Sequence, residues 1–158
     1  MIRLTRAALA SRAGFSLTEL IVVMAIIGII ATMVATTFWQ SFYQDQVLRA
    51  GTEVVSTYLQ QGRSLAIRSG QSVCADIDGG GLHLHQGTCA GTVWVGAGTN
   101  ASGFFTTPTG VSIALSAAPV FNYLGAATPT ATYTVTNTKT GATRTITVAA
   151  TGRISVGP

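Results

Sequence analysis

The chain has 158 residues, nine of them basic and five acidic, with a formal net charge of +4 at pH 7. Three of the basic residues, Arg3, Arg6 and Arg12, lie in the first fourteen positions, and beyond them the balance is six basic against five acidic. The body is therefore nearly neutral, so net charge alone makes no case for a nucleic-acid binder, and the length suits one domain rather than several.

The arginine-bearing head contains no acidic residue, and residues 20–38 then run for 19 positions with neither charge nor proline. That is close to the roughly 20 apolar residues a helix needs to cross a bilayer. The arginines place the head in the cytoplasm and the remainder across the membrane. A secretory signal has its small-residue cleavage site after the apolar run, whereas here the small residue, Gly14, stands before it. Cleavage after Gly14 would remove the arginines, keep the apolar helix and expose a new α-amino group on Phe15. The alternative is an uncleaved signal anchor. Glu19 lies four residues past Phe15 at the start of the run. A carboxylate at mid-bilayer costs about 2.5–3.5 kcal/mol, less near an interface, so Glu19 calls for a cationic partner. The Phe15 amine of the same or a neighbouring chain would serve, because an opposite charge stabilises the ionised carboxylate.

The stretch Arg12-Ala13-Gly14-Phe15-Ser16-Leu17-Thr18-Glu19, followed by the apolar run, resembles the processing motif of type IV prepilins and type II secretion pseudopilins. The resemblance implies that an inner-membrane prepilin peptidase cuts after Gly14 and methylates the new amine on Phe15. It further implies that Glu19 pairs with the terminal amine of an adjacent subunit and sets the helical stagger of a filament. The implied partners are that peptidase, other pilin or pseudopilin subunits and an inner-membrane assembly platform. The implied location is the bacterial inner membrane, crossed once with the N-terminus cytoplasmic and the C-terminal domain periplasmic, and then the pilus or pseudopilus.

Past the apolar run, Trp39 and Tyr43 stand where aromatic residues favour a membrane interface. Leu48, Gly51, Val55, Leu59, Gly62 and Ala66 then recur at steps of three and four, the mark of an amphipathic helix whose apolar stripe packs in a core. Asp45–Arg49 and Arg49–Glu53 are i,i+4 pairs on its polar side. Ser69-Gly70 ends the pattern. One helix over 15–69 would be about 80 Å long at 1.5 Å per residue.

From Val73 the period changes to two, with strand-like runs at 73–77, 82–85, 92–95, 111–115, 120–124, 132–136, 144–148 and 154–156. Asp78-Gly79-Gly80-Gly81 and Lys139-Thr140-Gly141 read as hairpin turns. The expected fold is α+β and type IV pilin-like: a long N-terminal helix, transmembrane in its first half and amphipathic in its second, on a small antiparallel β-rich domain. The expected segments are a cleaved leader at 1–14, a membrane or filament-core helix at 15–38, the continuing helix at 39–70 and the β-rich domain at 71–158.

Cys74 and Cys89 are an even pair in the part expected outside the cytoplasm, which favours a disulfide over two free thiols or a metal pair with the histidines. His83 and His85 share one strand face opposite Leu82 and Leu84 and are read as solvated; a metal would need a third ligand. Asp76-Ile77-Asp78-Gly79 lacks the downstream glutamate of a calcium loop and is read as a turn. Neither a catalytic Ser/His/Asp spacing nor a phosphate-cradling glycine loop occurs, so no catalytic residue, metal or cofactor is assigned.

The order Val73-Cys74, Asp78-Gly79, Cys89, Trp94-Val95-Gly96, with Phe121-Asn122-Tyr123-Leu124-Gly125 and Thr151-Gly152-Arg153-Ile154 near the end, is similar to the minor pilin and pseudopilin group called FimT/GspH. That likeness implies a low-abundance, non-enzymatic filament subunit of a type II secretion pseudopilus or a type IV pilus, the two not being distinguished. It also implies an alternative, a minor pilin that binds DNA during uptake through a basic C-terminal patch. Here that patch would be Lys139, Arg144 and Arg153, with Ser155 where DNA-binding members carry another arginine.

Overall fold

The structure is a computed structural model that describes residues 16–79 and 81–157, with the backbone alone for residues 35–41. It divides into two compact units between Gln40 and Ser41.

Helix α1, Leu17–Ser69, contributes to both units. In the first unit its apolar side chains are exposed, and the window Leu17–Val34 is long and apolar enough to cross a membrane, with a mean hydropathy of 2.5. An exposed apolar stretch of this length is a surface suited to lipid or to another chain. In the second unit the stripe read from the sequence is buried at all six positions, Leu48, Gly51, Val55, Leu59, Gly62 and Ala66. Arg49 pairs with Asp45 at 2.8 Å, while the Arg49–Glu53 pair is not formed among the described residues. The helix ends before Gly70, whose φ of +66° is the left-handed conformation that closes many helices and that glycine adopts without a Cβ penalty.

Nine strands follow: β1 Val73–Asp78, β2 Gly81–Gln86, β3 Thr92–Val93, β4 Val111–Leu115, β5 Val120–Phe121, β6 Ala127–Thr128, β7 Ala131–Asn137, β8 Thr143–Val148 and β9 Ile154–Val156. They build two antiparallel sheets, ordered β3-β2-β1-β5-β6 and β4-β7-β8-β9. Both expected hairpins form, β1–β2 and β7–β8.

The core of this unit lies between the helix stripe and the sheets. Tyr58 reaches from the helix to donate its hydroxyl to the His83 carbonyl at 2.7 Å and the Asp76 carbonyl at 3.0 Å. Tyr133 of β7 donates to the Ala75 carbonyl of β1 at 2.8 Å and so joins the two sheets. Burial raises the ionisation of both phenols well above the ordinary tyrosine range, so they remain donors. Asn137 ties the far end of β7 to the helix through its side-chain amide, which donates to the Gln44 carbonyl at 2.9 Å.

Two strand readings are corrected. The expected strand at 120–124 stops at Phe121, because the Asn122 carboxamide oxygen accepts the Leu124 and Ala126 N–H groups and bends Tyr123-Leu124 into a turn. The run at 92–95 pairs only over Thr92–Val93. The two-residue β6, too short to read from periodicity, was not anticipated.

Candidate functional site

Four places bear on function: the start of α1, the disulfide, the buried histidines and the arginines near the end of α1.

Gly14 and Phe15 lie outside the described residues. Ser16 precedes the helix, and its carbonyl accepts the Leu20 N–H at 3.1 Å. Glu19 falls in the first turn of α1, where a carboxylate complements the partial positive charge of the helix N-terminus. It is exposed, as are the apolar side chains that follow it through Val34.

Cys74 on β1 and Cys89 beyond β2 are joined in a disulfide with a Cα–Cα distance of 5.0 Å. It ties the 87–91 loop to the strand at the centre of the five-stranded sheet.

The histidines differ from expectation. Alternation had assigned one face of β2 to solvent, but His83 and His85 are both buried, as are Leu82 and Leu84 on the other face. The ring of Phe104 lies 3.8 Å from that of His83, centroid to centroid, so the 94–105 loop covers the expected wet face. His85 Nδ1 lies 3.1 Å from the Gly91 carbonyl, whereas both ring nitrogens of His83 lack a hydrogen-bond partner among the described residues. Burial, and then the neighbouring His85, lower the basicity of His83, opposed by the weaker pull of Asp78 and Asp76. Among the described residues no cluster of three or more metal-ligating side chains forms.

The structure divides the three cations read as one patch. Lys139 sits at the β7–β8 turn, beside Tyr43, Gln44 and Gly110, and Arg144 opens β8 opposite Val135. Arg153 follows the β8–β9 turn at the other end of the sheet, since Val148 pairs with Ile154. Four steps of β8 lead from Arg144 to Val148, about 14 Å of strand at 3.4 Å per residue. Arg153 instead faces the helix, where it lines a groove of about 790 Å³ with Arg63 and Arg68. No local sequence signal groups Arg63 and Arg68 with Arg153: the first two sit on the helix, and the β8–β9 turn brings the third beside them.

Residues 9–35 match the prokaryotic N-terminal methylation motif. No curated protein matches the chain. Among solved structures, the chain is similar to the type IV minor pilin FimU of Pseudomonas aeruginosa, at 19% identity over 73% of this chain and 91% of that one, with a TM-score of 0.54. A second crystal form of FimU gives 20% identity, 70% and 91% coverage and a TM-score of 0.51. The minor pseudopilin EpsH of the Vibrio cholerae type 2 secretion system gives 19%, 68% and 94%, with a TM-score of 0.48. The helix on small antiparallel sheets is the type IV pilin fold. The chain thus joins the type IV pilin fold to an N-terminal methylation motif.

Proposed function

We propose that this protein is a minor pilin or pseudopilin, a structural subunit and not a catalyst, that joins a filament through the first half of α1. The observation that carries the reading is the position of the methylation motif directly over an exposed apolar helix. The motif covers residues 9–35, and the side chains of the Leu17–Val34 window are exposed among the described residues. A motif that creates a charged amine next to Glu19, on a helix whose described apolar side chains are exposed, suits polymerisation. In this reading residues 1–14 are a leader removed by a prepilin peptidase, Phe15 is methylated, and 15–38 enters the membrane and then the filament core. Residues 39–70 continue the helix into the β-rich domain at 71–158, which lies outside the cytoplasm. An inner-membrane platform and other subunits complete the assembly.

The test is Glu19→Ala in the full chain. The variant is expected to be cleaved after Gly14, giving a mature mass that begins at a methylated Phe15, yet to be depleted from sheared filaments. Incorporation equal to that of the unaltered chain would reject the pairing of Glu19 with the terminal amine. Retention of residues 1–14 in the unaltered chain would reject the whole reading.

A DNA-uptake role through a patch of Lys139, Arg144 and Arg153 draws less support, because Arg153 stands apart from the other two, beside Arg63 and Arg68.

A further inference from the structure

Three segments meet around Arg63. The last turns of α1 carry Arg63 and Arg68, the β5–β6 turn brings up Gly125, and the β8–β9 turn brings up Gly152 and Arg153. Arg63 Nε donates to the Gly125 carbonyl at 3.0 Å, which fixes the guanidinium stem. Gly152, with a φ of +72°, lets the second turn settle on the first: a Cβ there would collide with the Gly125 carbonyl and approach Arg63 Nε to 3.1 Å. The Ala127 N–H donates to the Ala150 carbonyl at 3.0 Å and closes the junction.

The groove so formed has three guanidinium groups, apolar walls from Ile67 and Ile154, and no carboxylate in its lining. Asp45 is engaged by Arg49, Glu53 lines a different hollow beside Phe105, and Asp76 and Asp78 lie on β1. The Arg153 side chain has no hydrogen-bond or ion-pair partner among the described residues. Next to the groove, Tyr123 and Leu124 are 59% and 71% exposed on the turn whose Gly125 abuts Ile67, itself 49% exposed. Arg68 has an intrachain role as well, at the helix C-terminus where a cation is favoured. Arg153 has no such account.

We infer that this groove docks an acidic segment of a partner protein, a stretch bearing two carboxylates beside a bulky apolar residue. Arginine presents a planar fork that binds carboxylates bidentately, and the neighbouring apolar walls raise the strength of such pairs above that of freely solvated ones. Exposed Leu124 and Ile67 supply the apolar contact. A nucleic acid fits the same residues less well. It needs a basic stripe that follows its backbone, whereas these three cations fill a short concavity, and Lys139 and Arg144 lie at the other end of the sheet. The inference stands independently of the filament reading.

The test uses the full chain in nanodiscs of neutral lipid. Fluorescence anisotropy is recorded against an array of short peptides, each carrying two glutamates at varied spacing beside one leucine, with glutamine counterparts and an oligothymidylate as comparators. Members of the glutamate series are expected to bind, weakening with salt. Arg153→Ala should weaken binding about tenfold, as for loss of one charge-assisted hydrogen-bonded contact, and Arg153→Lys should restore part of it. An unchanged thermal midpoint in Arg153→Ala would show that the fold is intact. Glutamate peptides that bind no better than their glutamine counterparts, or binding indifferent to Arg153, would overturn the proposal. Tighter, arginine-dependent binding of oligothymidylate would overturn it in favour of nucleic acid.

Discussion

Gly51 of α1 lies so close to Val111 of β4 that a Cβ on the glycine would stand 2.9 and 3.0 Å from the two valine methyls. Val111 is β-branched and stiff at χ1, and Val135 closes the other side at 3.3 Å, so the contact cannot yield by a rotamer change. Gly51→Ala is therefore expected to destabilise the second unit by about 1–3 kcal/mol through overpacking, despite the roughly 1 kcal/mol by which alanine improves a helix. A urea titration of the detergent-solubilised chain would show it, and Gly51→Ala combined with Val111→Ala should recover part of the loss.

The Cys74–Cys89 bridge closes a sequence separation of 15 residues. Replacing both cysteines by serine is expected to cost about 3 kcal/mol in the chain-entropy account. The buried Cys74 position would add to this by leaving a hydroxyl in an apolar strand. The urea midpoint is again the measurement, and a loss below about 1 kcal/mol would show that the unfolded chain is already constrained there.

His83 makes the second unit sensitive to acid. Its folded basicity is lowered from the ordinary value of 6.5, chiefly by burial and then by His85. The unfolded chain therefore takes up the proton first as pH falls. The stability that depends on a neutral His83 is complete above pH 6.5 and declines as the pH drops below that value towards the lower folded one. Asp76 and Asp78 oppose the shift and limit its size. His83→Leu should flatten the profile as the pH falls below 6.5. An identical slope in the variant would assign the acid sensitivity to other groups.

Tyr133 joins the sheets through one hydrogen bond to the Ala75 carbonyl. Tyr133→Phe keeps the ring but leaves that carbonyl unpaired, at an expected cost of about 1–3 kcal/mol. In the unaltered protein the raised phenol makes a stabilising contribution that is whole below the ordinary value of 10.0 and is lost as pH rises beyond it, because the unfolded chain ionises first. Tyr133→Phe should reduce alkaline sensitivity in a stability profile taken above neutrality.

The parts of the fold that were legible in the sequence are those where a single period governs many residues. The helix stripe from Leu48 to Ala66 is legible position by position, and the long strands of the two hairpins to within one residue at each end. What failed was the inference from alternation to exposure. On β2 the pattern of Leu82 and Leu84 against His83 and His85 promised one wet face, yet a distant loop lays Phe104 over the histidines. Coverage by a loop is a long-range event that leaves no local period. The basic groove escaped for a similar reason. Arg63 and Arg68 are ordinary polar-face residues of a helix, and only the descent of the Gly152 turn onto Gly125 brings Arg153 beside them. Asn122 shows the converse, a local signal that outweighed propensity by bending Tyr123-Leu124 out of a strand.

The amide of Asn137 and the carbonyl of Gln44 are 93 residues apart in sequence. Chains are made from the N-terminus and loop closure over such a distance is slow to be rewarded. The helix is thus complete long before β7 exists to hold it. The Gly62 end of the stripe can meet Leu84 of β2 early, but the Gly51 end waits for Val111 and Val135, so the interval before β4 and β7 arrive is one in which this protein is exposed to wrong association and to proteolysis.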